Sequence, residues 1–107
     1  MTPVAEVESV HYVWPYSESK LLAALADGPV AGTVAASSSV FRYYTSGVIN
    51  TRKCGYWLDH AITIVGYGTY DRGNYYIVRN SWGDSWGDAG YVKIGASGER
   101  RIGYCGI

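Results

Sequence analysis

The chain has 107 residues, 48% of them apolar and 17% charged, enough to bury a core in one domain and too few for a second of ordinary size. Nine Lys+Arg balance nine Asp+Glu, so no basic stripe exists to collect phosphates by counterion release, and nucleic-acid binding is excluded. Every apolar stretch falls short of the about 20 residues a membrane span needs, and residues 1–10 (MTPVAEVESV) lack the basic start and apolar run of a signal peptide.

Eleven Tyr, four Trp and fourteen Gly against a single Phe describe a chain rich in strands and turns. Residues 1–16 read as an extended lead-in and residues 17–107 as the domain proper. Ser17 is placed to cap a helix, SESKLLAALADG sets Leu21, Leu22 and Leu25 on one stripe, and Gly28-Pro29 ends it. Residues 30–36 read as a buried strand of small side chains, residues 37–39 as a loop, and VFRYY as one short helical turn. From Asp59 the pattern alternates: HAITIVGYG is a strand, TYDRGN a turn, YYIVRN a strand and SWGDSWGDAG a glycine-punctuated loop. YVKIG follows as a strand, SGERR as a turn and IGYCG as a final strand. The fold class is α+β, one N-terminal helix followed by a small antiparallel sheet or open barrel.

A hairpin centred near residue 70 pairs positions that sum to about 140, so Ile62 faces Val78 and His60 faces Asn80. Residues directly opposite on a ladder share a face, with Cβ atoms about 5 Å apart. An imidazole and a carboxamide therefore meet at the open end of the sheet, beside the glycine-rich loop. A carboxamide oxygen accepting from one imidazole nitrogen fixes the tautomer and aims the other nitrogen at a third group. If that group is a thiol, the imidazolium stabilises the thiolate. Trp82, two residues beyond Asn80, is placed to shield the His–Asn bond from water. The bland reading is a structural hydrogen-bonded pair. The two cysteines, Cys54 and Cys105, leave three readings open: a single staple, two buried thiols or half of a metal site.

Leu58-Asp59-His60-Ala61, IVGYG at residues 64–68, Asn80-Ser81-Trp82-Gly83, Trp86-Gly87 and Gly90-Tyr91 stand in the order of the C-terminal half of a papain-family cysteine protease. Gly28-Pro29-Val30 and FRYYTSGV match the upstream part of that half, so the resemblance runs from Ser17 to the end of the chain. It implies that His60 is the catalytic base, Asn80 its orienting residue and Trp82 the indole over the pair. Trp86 resembles the neighbour lining the leaving-group side of the cleft. Asp59 and Ala61 flank the histidine as in the family, with Ala61 a wall of the pocket for the substrate's second residue. Thr33 falls where the family usually has an apolar residue in that pocket, so a strictly apolar preference is not implied.

The spacings of Cys54 and Cys105 resemble the family's disulfide within this half, worth roughly 4 kcal/mol by chain entropy. The rival readings are free thiols in a reducing compartment and a zinc site built from Cys54, Cys105, His60 and His11, which lacks paired short spacings. No cofactor is expected. The family's nucleophilic Cys and its oxyanion-hole Gln belong to the other half, and this chain contains no Gln. The family also continues beyond the point where this chain stops. The resemblance thus implies half of an endopeptidase, with a Cys-bearing N-terminal half as partner, a peptide as substrate and no activity alone. The alternative is a non-catalytic peptide-binding or regulatory module. An uncovered cleft face with Trp82 and Trp86 predicts self-association. A disulfide and the resemblance point to a lysosome-like, vacuolar or secreted setting.

Overall fold

A computed structural model describes residues 17–97 and 103–107. The extended lead-in, His11 and most of the SGERR turn lie outside the described residues. Helix α1 spans Glu18–Leu25. Ser17 caps it by accepting from the Lys20 N–H, with Glu18 favourably placed in the first turn. Leu21 is buried, while Leu22 and Leu25 pack against the core from its margin. Strand β1 (Val30–Val34) follows, then the one-turn helix α2 (Ser39–Arg42), which Ser38 caps by accepting from the Phe41 N–H. Strand β2 is only Val48–Ile49. A 3-10 turn at Arg52–Cys54 leads to β3 (His60–Tyr70), which forms a hairpin with β4 (Gly73–Arg79), and β5 is Tyr91–Gly95.

The five strands form one sheet in the order β1-β3-β4-β5-β2. Every neighbouring pair is antiparallel except β2 and β5, which run parallel. The alternation read in β3 is real: Ile62 and Ile64 are buried, whereas Ala61 and Val65 are exposed. Together with Val30, Val34, Val78, Val92, Ile94 and Phe41, the two isoleucines make a continuous core. Fully burying each such side chain contributes about 1.5–3 kcal/mol before entropy is charged against it.

Three expectations are corrected. Residues 102–106 form no strand where they are described: Tyr104–Gly106 is a 3-10 turn in which Cys105 has φ 55° and Gly106 φ 77°. Left-handed backbone at both positions is incompatible with a ladder. The strand expected over residues 30–36 ends at Val34, because Ala35 and Ala36 give their N–H groups to Cys105 O and Asp59 Oδ1 instead of to a neighbouring strand. The hairpin register also differs. Tyr70 pairs with Gly73 across a two-residue turn, and a bulge between Ile64 and Gly66 shifts the ladder, so Ile64, not Ile62, faces Val78. An extra residue on one strand locally breaks pairing and increases twist. His60 consequently lies beyond the paired part of the hairpin and is opposite Val34 on β1.

Cys54 and Cys105 are bonded as a disulfide, with Cα atoms 4.8 Å apart and both residues wholly buried. With both sulfurs in that bond, the free-thiol and zinc readings of the two cysteines fall away. The bridge joins the 3-10 turn before β3 to the C-terminal turn, and the Ala35 N–H donates to Cys105 O at 2.7 Å. Among the described residues, no helix is long and apolar enough to cross a membrane.

Candidate active site

His60 is the first residue of β3, and two bonds fix the chain that delivers it. The Asp59 N–H donates to Val34 O at 3.2 Å, and Asp59 Oδ1 accepts the Ala36 N–H at 2.8 Å. Asn80 follows β4 and is only 6% exposed. Its N–H donates to Gly90 O at 3.0 Å, which ties the end of β4 to the far side of the glycine-rich loop. That loop folds back through Gly90 N–H to Trp86 O at 2.8 Å. Gly87 at its bend has φ 62°, and a Cβ there would stand 2.7 Å from the Tyr91 carbonyl oxygen. Glycine is therefore required at this position by both conformation and space.

Asn80 Oδ1 accepts the Ser81 N–H at 2.7 Å and lies 2.6 Å from His60 Nε2. A backbone N–H can only donate, so the amide atom facing it is the oxygen and the carboxamide orientation is determined. The oxygen can only accept, so the His60 nitrogen facing it carries a proton. Nε2–H is thereby held, and Nδ1 is the nitrogen with a lone pair to offer. Asn80 Nδ2 is buried with no hydrogen-bond partner among the described residues.

The pair sits against an aromatic stack. The Trp82 ring lies 4.9 Å from the His60 ring at 33°. Phe41, the only Phe in the chain, stands edge-on to both, at 6.5 Å from His60 and 5.5 Å from Trp82. Trp86 packs 5.0 Å from Phe41 and 5.4 Å from Trp82, and its Nε1–H donates to Arg42 O at 3.0 Å. Apolar rings on this side keep the local dielectric low, which strengthens the His60–Asn80 bond.

A cleft of about 460 Å³ opens beside the imidazole, lined by Ala36, Arg42, Tyr43, Asp59, His60 and Trp82. Thr33 and Ala61 lie elsewhere. They are directly paired across β1 and β3 and exposed, and strand alternation puts them on the opposite face of the ladder from His60. Trp86 sits in the aromatic stack, against Phe41 and the cleft-lining Trp82. Ala36, Phe41, Arg42 and Tyr43 escaped the sequence reading of the site. The lone Phe41 followed by Arg42-Tyr43, just after the capping Ser38, is the sequence trace of three of them; Ala36 has none. Among the described residues, no group of three or more His, Cys, Asp or Glu is placed to hold a metal.

The sequence profile described as papain family cysteine protease matches residues 1–107. Macrodontain-1 of Ananas macrodontes is 45% identical over 103 residues, covering 96% of this chain and 46% of that protein. Chymopapain of Carica papaya is 44% identical over 90 residues, covering 84% of this chain and 25% of that protein. The solved structure of the bromelain protease from Ananas comosus superposes with a TM-score of 0.79 at 42% identity, covering 89% of this chain and 44% of that one. The chain thus spans half or less of the length of these relatives. It belongs to the papain family of cysteine proteases.

Proposed function

We propose that this chain supplies the general base and its orienting carboxamide for peptide-bond hydrolysis, the thiol nucleophile coming from residues outside these 107. The observation that supports this reading is the double use of Asn80 Oδ1, which takes the Ser81 N–H and the His60 Nε2–H together and leaves Nδ1 as the basic nitrogen. In the proposed reaction Nδ1 takes the thiol proton as sulfur attacks the peptide carbonyl carbon. The imidazolium then gives that proton to the leaving amine, forming an acyl-thioester. Water, deprotonated by the same nitrogen, attacks the thioester and releases the acid and the thiol. Asn80 keeps the ring aimed through all of these steps, and Trp82 excludes water from the bond that does so.

Both cysteines are consumed in the disulfide and the chain has no Gln, so within this reading neither the nucleophile nor a Gln oxyanion donor is present. Residues 17–107 act as one domain that packs against a Cys-bearing partner half. Tyr43, Trp57, Tyr56 and Leu58, all exposed, with Trp57 at 79%, support such a partner face or, in its place, self-association. A buried disulfide supports an oxidising setting, either lysosome-like or vacuolar, or secreted.

The test is hydrolysis of a fluorogenic peptide by the chain alone and by the chain joined to a Cys- and Gln-bearing half from a relative. Activity only in the joined form, abolished by His60→Ala, is expected. Alkylator-sensitive hydrolysis by the chain alone, or full activity of the joined His60→Ala protein, would overturn the proposal. Peptide binding without hydrolysis in the joined form would favour a non-catalytic binding module.

A further inference from the structure

Among the described residues, Arg42 is the one Lys or Arg that lines the cleft beside His60. It closes helix α2 and is exposed. Its backbone is pinned by the Trp86 indole, which donates to its carbonyl, and its neighbour Phe41 is wholly buried. The guanidinium therefore hangs from a fixed stem. It makes no ion pair among the described residues. The other charge in the cleft, Asp59, spends Oδ1 on the Ala36 N–H and forms no salt bridge with Arg42. The remaining lining is the Ala36 methyl and the Tyr43 and Trp82 rings. A guanidinium fork without an ion pair among the described residues, in a cleft that Tyr43 and Trp82 also line, suits a carboxylate borne on a short side chain, with methylene groups against the rings.

Resting on the proposed function, proton donation fixes which part of a substrate this carboxylate belongs to. The imidazole must reach the leaving nitrogen, so the residue attached to that nitrogen lies nearest the ring, in the cleft that His60 itself lines. We propose that Arg42 makes this site select peptides with an acidic residue immediately after the bond to be cut. Asp59 narrows the selection, because a carboxylate placed toward the β1 side of the cleft meets its charge.

The proposal is read first by binding, which needs no thiol. The chain is titrated by NMR with N-acetyl dipeptide amides ending in Glu, Gln or Lys. The Glu peptide is expected to bind about 1.5- to five-fold more tightly than the Gln peptide at low salt, the range for a solvent-exposed ion pair. The preference should shrink with added salt and shift the Arg42 Nε–H and Trp82 indole N–H signals. Arg42→Gln should equalise the Glu and Gln peptides, and Arg42→Glu should favour Lys. Equal binding of the three peptides by the unaltered chain, or a Glu preference that survives Arg42→Gln, would overturn it. In the joined form, the same order should appear in kcat/KM for substrates varied after the cut bond. Selective binding without hydrolysis in the joined form would leave Arg42 selection standing and count against His60 as the base, so the two failures are distinct.

Discussion

Replacing Asn80 with Ala separates what this residue contributes to stability from what it contributes to the site. Two hydrogen bonds vanish, from His60 Nε2–H and from Ser81 N–H, a loss of about 0.5–1.5 kcal/mol each. The same change removes Nδ2, a buried donor without a partner among the described residues, whose burial costs roughly 1–3 kcal/mol. The two donors set free do not inherit that penalty. Ser81 is exposed and His60 half-exposed, and the space the carboxamide vacates beneath Trp82 lets water take both protons. Loss and relief cancel, and Asn80→Ala should change the free energy of unfolding by no more than about 1 kcal/mol. Urea unfolding followed by tryptophan fluorescence measures this directly. In the joined protease the same variant should lose on the order of 10²-fold in kcat, since the ring is no longer aimed. A stability loss above about 3 kcal/mol would refute the reasoning, because it would mean that the network holds the loop together instead of orienting the imidazole.

Other consequences are as direct. Reducing the Cys54–Cys105 bond, which spans 51 residues, should lower unfolding stability by roughly 4 kcal/mol; urea midpoints with and without reductant check this. The Tyr44 phenol donates to Gly47 O at 2.6 Å and accepts the Lys93 N–H. Burial raises its pKa above the ordinary value, with the Asp88 charge adding to the rise and the Lys93 bond opposing it. A raised acid pKa means the folded state keeps its proton longer than the unfolded chain. Tyr44 therefore contributes fully below pH 10.0, and that contribution is lost as pH rises further. Tyr44→Phe should cost about 1 kcal/mol at pH 7 and flatten the alkaline decline in urea midpoint. Gly87→Ala, forced against the Tyr91 carbonyl, should destabilise by about 1–3 kcal/mol and broaden the Trp82 and Trp86 indole signals.

The sequence made local devices legible and long-range ones less so. The Ser17 cap and the Leu21-Leu22-Leu25 stripe named α1 because both signals lie within one helical turn of the residues they govern. The β3 alternation was visible for the same reason. The two-residue β2 has no period to detect, and its parallel pairing with β5 is decided by packing. The final turn looked like a strand because Ile, Tyr and Cys favour one. The disulfide and the left-handed Cys105 and Gly106 impose the turn instead. The bulge that moved the register did leave a trace, since a glycine inside a strand pattern marks such sites, and Gly66 is where pairing resumes. The bulge changes which residue faces His60 across the ladder, and contact with Asn80 is made by the side chains beyond the paired strands. In the sequence Arg42 and Tyr43 stand only as part of a helical turn; their place beside His60 depends on the Trp86–Arg42 bond, which joins residues 44 positions apart.

Within the proposed function, His60 presents Nδ1 as its basic nitrogen because Asn80 Oδ1 holds the Nε2 proton. Long-range ¹⁵N–¹H correlation of the histidine ring, recorded on the unaltered chain where His60 is neutral, reads this without any substrate. A proton-bearing Nε2, its N–H slowed in exchange, and a bare Nδ1 are expected, with the slowing lost in Asn80→Ala. A neutral ring carrying its proton on Nδ1, or a freely exchanging mixture in the unaltered chain, would contradict it.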